Sequence, residues 1–164
     1  MKLSQKILKR TAEHVYYEVL MLHFTTMYLG KILNPPTSHR YLVNTILESW
    51  GMHLRNLLDF FYISTAQRYK DDVLAEDYVS DLRQFKRQRT KAKVFSHIKK
   101  RVAKQFAHLT YHRNVYNRRT KPWQCAKIYN QISPTIVAFY NSLPNNMKRW
   151  PHFVELKKVI DATP

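Results

Sequence analysis

Apolar residues recur every three or four positions at the start of the chain: Leu8, Val15, Val19 and Leu22, with charged and polar residues between them. That period belongs to a helix with one buried stripe. It predicts a first helix from about Ser4 to Leu29. Gly30 and then Asn34-Pro35-Pro36 stop it, because proline cannot continue the hydrogen-bond ladder and restricts the residue before it. A second stripe of Val43, Leu47, Trp50, Leu54, Leu57 and Phe61 predicts a helix capped by Thr37 or Ser38 and running to about Ser64. The rhythm fails over residues 67–90, where QRYKDDVLAEDYVSDL is acidic and irregular and QFKRQRTKAK is strongly basic. This stretch reads as a long connection with room for a short helix.

Helical periodicity returns over Lys91–His112, a third helix. A fourth should open at Pro122, a residue suited to a first turn, and reach about Leu143, with a kink or break at Pro134. Beyond Pro144-Asn145-Asn146, Pro151 is placed to start a short last helix through Val159. The expectation is an all-α fold: one domain over residues 1–164, a bundle of four main helices with a short C-terminal helix.

Composition agrees with that class. Only two glycines occur in 164 residues, too few for a many-turned β fold, and 45% hydrophobic content suffices for a core. The one cysteine, Cys125, excludes an intramolecular disulfide and a cysteine-only zinc site, and it suits a reducing compartment. No apolar run approaches the ~18 residues of a membrane span, and MKLSQKILKR lacks the apolar middle of a secretory signal. A cytoplasmic protein without membrane contact is the expectation.

Charge changes the picture most. The formal net charge is +17, and its placement is uneven. Residues 1–81 carry nine Lys/Arg and nine Asp/Glu, whereas residues 82–154 carry seventeen Lys/Arg and no acid. Like charges so concentrated repel one another in the folded state, and a nucleic acid or another polyanionic partner accounts for them; a basic proteome or a solubility effect is the alternative. Arg83, Lys86, Arg87, Arg89, Lys91 and Lys93 cluster at the entry to the third helix, and Lys100 and Lys104 follow on its solvent side. Arg113, Arg118, Arg119 and Lys121 flank the next loop, with Trp123 after them. Cations track a phosphate backbone and neighbouring aromatics can stack on unpaired bases, although packing explains Trp123, Tyr111 and Tyr116 one by one.

The segment KKRVAKQFAHLTYHR (99–113) poses the sharpest chemical question. At 100° per residue, Ile98, Val102 and Leu109 share one face, with Phe95 and Phe106 at one border. Arg101, Gln105, His108 and His112 run along the other border, where a bundle helix meets its neighbour. On helix two, Glu48, Arg55, Asp59 and Tyr62 form a polar strip that can face them. A carboxylate of that strip can orient His108 or pair with Arg101; equally, Arg55 and Asp59, four apart, can pair with each other. Histidine exchanges protons near neutral pH, and arginine binds phosphate bidentately, so the pair Arg101 and His108 suits metal-free phosphodiester cleavage. The same residues also suit a basic binding surface, or the wet side of a core helix. His108 and His112 have the spacing of two metal ligands, but residues 82–154 supply no carboxylate as a third; no metal site and no cofactor are expected.

The phrases ESWGMHLRNLLDFFY (48–62), DDVLAEDY (71–78) and KQFAHLTYHR (104–113) resemble a group of short bacterial proteins related to the HEPN domains (higher eukaryotes and prokaryotes nucleotide-binding), over roughly residues 40–143. The resemblance implies a helical bundle, dimerisation, and in many members metal-independent endoribonuclease activity from an Arg, four to six residues, then a His. Arg101 and His108 match with six residues between. By that resemblance Arg101 stabilises the phosphate and His108 assists proton transfer. Active members often carry a polar residue directly after the Arg, and here it is Val102. An RNA-binding protein, possessing or lacking cleavage activity and belonging to a mobile or defence element, is the leading expectation. A non-catalytic module for an acidic protein partner or a nucleotide is the alternative.

Overall fold

A computed structural model of the chain describes residues 3–31, 39–107, 111, 114 and 122–162. Every regular element among them is helical: α1 (Gln5–Lys31), α2 (Arg40–Tyr62), α3 (Leu82–Gln88), α4 (Ser96–Val102), α5 (Cys125–Asn141), α6 (Asn145–Lys148) and α7 (Pro151–Asp161). The all-α class is thus the fold class. No described helix is long and apolar enough to cross a membrane.

The long helix α1 lies at the centre, with α2, α5 and α7 packed around it. Its stripe is buried as the periodicity requires: Leu8, Ala12, Val15, Val19 and Leu22. From α2 the buried side chains are Trp50, Leu54, Leu57, Leu58 and Phe61. Burying each such side chain contributes about 1.5–3 kcal/mol, so these two stripes fix the α1/α2 pair. Gly30 lies inside α1 rather than ending it, and the Asn34-Pro35-Pro36 stop and the Thr37/Ser38 cap lie outside the described residues.

The connection after α2 is built into the bundle. Arg68 Nη1 donates to both carboxylate oxygens of Asp77 at 2.9 Å, and the Leu74 amide donates to the same group, closing residues 68–77 into a compact turn. Tyr78 is buried and its hydroxyl donates to the Leu8 carbonyl of α1. Asp81 caps α3 through the Gln84 amide, and α3 sends Phe85 into the core. There Phe61, Tyr78, Phe85, Phe139 and Phe153 form an aromatic cluster with mostly edge-to-face rings 5.6–6.4 Å apart.

Two expected helices are corrected. The third begins as a single 3-10 turn (Ala92–Phe95), continues as α4, and then widens into a π-helical segment, Ala103–Ala107. Residues 108–110 lie outside the described residues. The fourth starts at Cys125, three residues after Pro122, because Trp123 leaves the helical path to pack edge-on against Trp50, 5.5 Å between ring centroids. Pro134 does not interrupt α5. Its ring is at the exposed surface, and the Thr90 hydroxyl donates to the Gln131 carbonyl, one residue from the carbonyl that proline leaves without its amide partner. At α7, Pro151 occupies the first turn as expected.

Candidate nucleic-acid interface

The candidate surface is carried by α3, the extended turn that follows it, and α4. On α3, burial of Phe85 turns Arg83, Lys86 and Arg87 outward, and all three are exposed. Lys91 just before the 3-10 turn and Lys93 on it are exposed, as are Lys100 and Lys104 beyond it, while Phe95, Ile98 and Val102 face the core. Lys86 pairs with Glu76 at 2.7 Å, which fixes α3 to the preceding turn. Lys99 pairs with Asp59 of α2.

Arg89 is a different case. Its guanidinium is drawn inward: Nη1 donates to the Phe61 carbonyl, and the group lies 4.9 Å from the Tyr62 ring centre and 5.3 Å from that of Phe85. Burial lowers its pKa from the usual guanidinium value, with Tyr62 and Glu76 opposing the shift. Arg89 therefore joins α3 to α2 and does not present its charge as the neighbouring cations do. Next to it, the Tyr62 hydroxyl donates to the Thr90 carbonyl at 3.0 Å and lies 2.9 Å from Thr135 Oγ1. Tyr62, expected on a polar strip facing helix three, thus locks the α2, α3 and α5 junction.

Arg101 stands near the end of α4, half-buried. Its guanidinium carbon sits 3.9 Å from the centre of the Trp123 ring, Nε donates to Gln105 Oε1 at 3.4 Å, and Nη2 donates to the Pro122 carbonyl at 3.4 Å. Phe106 stacks on Trp123, with ring centroids 5.2 Å apart and planes 26° apart, and Trp50 closes the edge. Trp50 in turn donates its indole N–H to Thr26 Oγ1 at 3.0 Å. Trp123 is engaged on several sides by protein, which is the packing role and not base stacking. Below it, Cys125 is buried, and burial pushes its thiol up to about 12, only partly offset by its amide and by Arg101.

The polar strip of α2 does not converge on Arg101. Asp59 pairs with Lys99 and, at 3.9 Å, with Arg55. Glu48 is exposed. Arg55 and Asp59 thus pair with each other, the alternative to a carboxylate pairing with Arg101, and the Arg101 guanidinium lies over Trp123. Gln105 does lie with Arg101. His108, His112, Arg113, Arg118, Arg119 and Lys121 lie outside the described residues.

One polar cluster had no signal in any single helix. His53 Nδ1 lies 2.7 Å from Glu18 Oε2, and the Asn56 amide donates to the other Glu18 oxygen at 3.1 Å, with Tyr17 edge-on to the imidazole. The groups lie on α1 and α2, thirty-five residues apart for Glu18 and His53, so only the antiparallel packing of these helices reveals them. Among the described residues no group of three or more His, Cys, Asp or Glu is placed to hold a metal ion. Comparison with protein-family models, curated proteins and solved structures finds no match to this chain.

Proposed function

We propose that this chain is a HEPN-like, cytoplasmic, homodimeric protein that binds single-stranded RNA through the cationic surface of α3 and α4. The observation that carries the reading is the outward display of Arg83, Arg87, Lys91, Lys93 and Lys100 on a segment, residues 82–154, that contains no acid. Displaying so many like charges is unfavourable without a polyanion, and release of counterions from RNA offsets that cost. The dimeric and HEPN-like parts of the proposal rest on the resemblance of residues 40–143.

Metal-independent cleavage by Arg101 and His108 is the second reading. It is favoured by the π segment directly after α4, since such distortions of helices are frequent at functional sites. A gel assay with labelled single-stranded RNA in EDTA tests both readings. Intact but shifted RNA supports the binding module. Cleavage lost in both Arg101→Ala and His108→Ala supports the nuclease. Neither shift nor cleavage leaves the acidic protein partner as the explanation of the charge.

A further inference from the structure

Counting charge along the chain makes residues 1–81 neutral, but the fold distributes that charge unevenly. The first three turns of α1 place Lys6, Lys9, Arg10, Glu13 and His14 along one wall of an open concavity of about 460 Å³, and His152 of α7 supplies the other wall. Positions 6, 9, 10, 13 and 14 follow the three-and-four spacing of one helix face, opposite the buried Leu8, Ala12 and Val15. His152 lies beside Tyr16, with ring centroids 6.3 Å apart. Among the described residues, Lys6, Lys9 and Arg10 have no ion pair, although Glu13 shares the concavity with them; elsewhere Lys86, Lys99, Lys157 and Lys158 each have an acid. His152, near the C-terminal end of the acid-free segment, is the residue through which that segment meets this face of α1. Three cations and two imidazoles therefore converge from two helices on one hollow containing a single carboxylate.

We propose that this α1/α7 hollow is a binding site for a phosphate group, separate from the α3/α4 surface. Lys6, Lys9 and Arg10 supply charge-assisted donors to its oxygens, the guanidinium being suited to two at once. His14 and His152 supply ring N–H donors at either wall. The phosphate is either a diester of an RNA backbone or the terminal group of a small phosphate ester. The site does not depend on the RNA-binding reading.

The test follows the imidazole NMR signals of His14 and His152 in the full chain at fixed pH, as inorganic phosphate is added against chloride of equal ionic strength. The expected result is a saturable shift of both histidines with phosphate alone, weakened about tenfold in a Lys9→Ala/Arg10→Ala variant. A single-stranded RNA is then added to the phosphate-loaded protein. Displacement of phosphate identifies a backbone diester as the ligand, and retention identifies a small phosphate ester. A shift that does not saturate, that chloride reproduces, or that the double variant keeps undiminished overturns the site.

Discussion

Arg101 lies face-on over Trp123, 3.9 Å from its guanidinium carbon to the ring centre, and through Trp123 it is coupled to Trp50 and Phe106. The residue singled out for phosphate chemistry thus also fastens the end of α4 to the start of α5. Substitution there acts on stability as well as on any ligand. Arg101→Ala should lower unfolding free energy by about 1 kcal/mol, the scale of one cation–π interaction. Trp123→Ala should cost about 3 kcal/mol, since its aromatic and cationic neighbours are left without a partner. Urea unfolding measures both. Equal effects from the two changes would contradict the arrangement.

Gly51 gives a sharper test of the same packing. A Cβ at this position would collide with the Phe106 ring, whereas nothing stands near Gly30. Gly51→Ala should therefore destabilise by about 1–3 kcal/mol through overpacking, despite the better helix propensity of alanine. In a Phe106→Ala background the same change should become stabilising by about 0.5–1 kcal/mol. Gly30→Ala, near the end of α1, should stabilise by a few tenths of a kcal/mol. A double-mutant cycle showing no coupling between positions 51 and 106 would rule this packing out.

The helices α1, α2 and α7 could be read from the chain because their information is local. A stripe such as Leu8, Val15, Val19 and Leu22 needs only a core to face, and Pro151 needs only its own fixed φ. What eluded the sequence depends on partners far along the chain. The α5 start slips from Pro122 to Cys125 because Trp123 is claimed by Trp50, far earlier in the chain. Likewise Arg89 reads as one cation in a run, yet the Phe61 carbonyl and the Tyr62 ring draw it inward. Charge counting found the α3/α4 surface and missed the α1 hollow, because His152 reaches that hollow only through folding. No helical-wheel argument anticipates the π segment at Ala103–Ala107, since a wheel assumes one constant twist.

Alkaline pH should loosen the fold. Burial raises the Cys125 thiol from 9.0 to about 12 and the Tyr78 hydroxyl from 10.0 to about 12. Both groups are neutral acids in the folded chain, and the unfolded chain releases their protons first. Their contribution is therefore fully present below about pH 9 and is lost as pH rises toward about 12. Chemical denaturation at a series of values from about pH 8 to about pH 10.5 should show falling stability, with a shallower fall in Cys125→Ala. In native protein at about pH 8 the thiol should resist alkylation and react only on unfolding. Rapid native alkylation would contradict its burial.

Neighbouring cations on one surface should separate by role. Arg89→Ala should cost about 1–3 kcal/mol of stability, by removing a buried donor and its packing, and leave the salt dependence of RNA binding nearly unchanged. Arg87→Ala should do the reverse: little effect on unfolding, and a slope reduced by about 0.7 for each single-strand phosphate it no longer neutralises. Parallel unfolding and binding titrations distinguish them. Arg89→Ala with full stability and a flattened slope would place its guanidinium on the ligand.

The most direct measurement is RNA affinity as a function of salt, wild type against the combined Arg83→Ala, Arg87→Ala, Lys91→Ala and Lys93→Ala variant, with circular dichroism confirming the helical fold of both. The account predicts a steep linear fall of log affinity with log salt in wild type. In the variant the slope should be shallower by about 3, from four phosphates at roughly 0.7 each. An unchanged slope, or no RNA binding by the wild type at low salt, would contradict it.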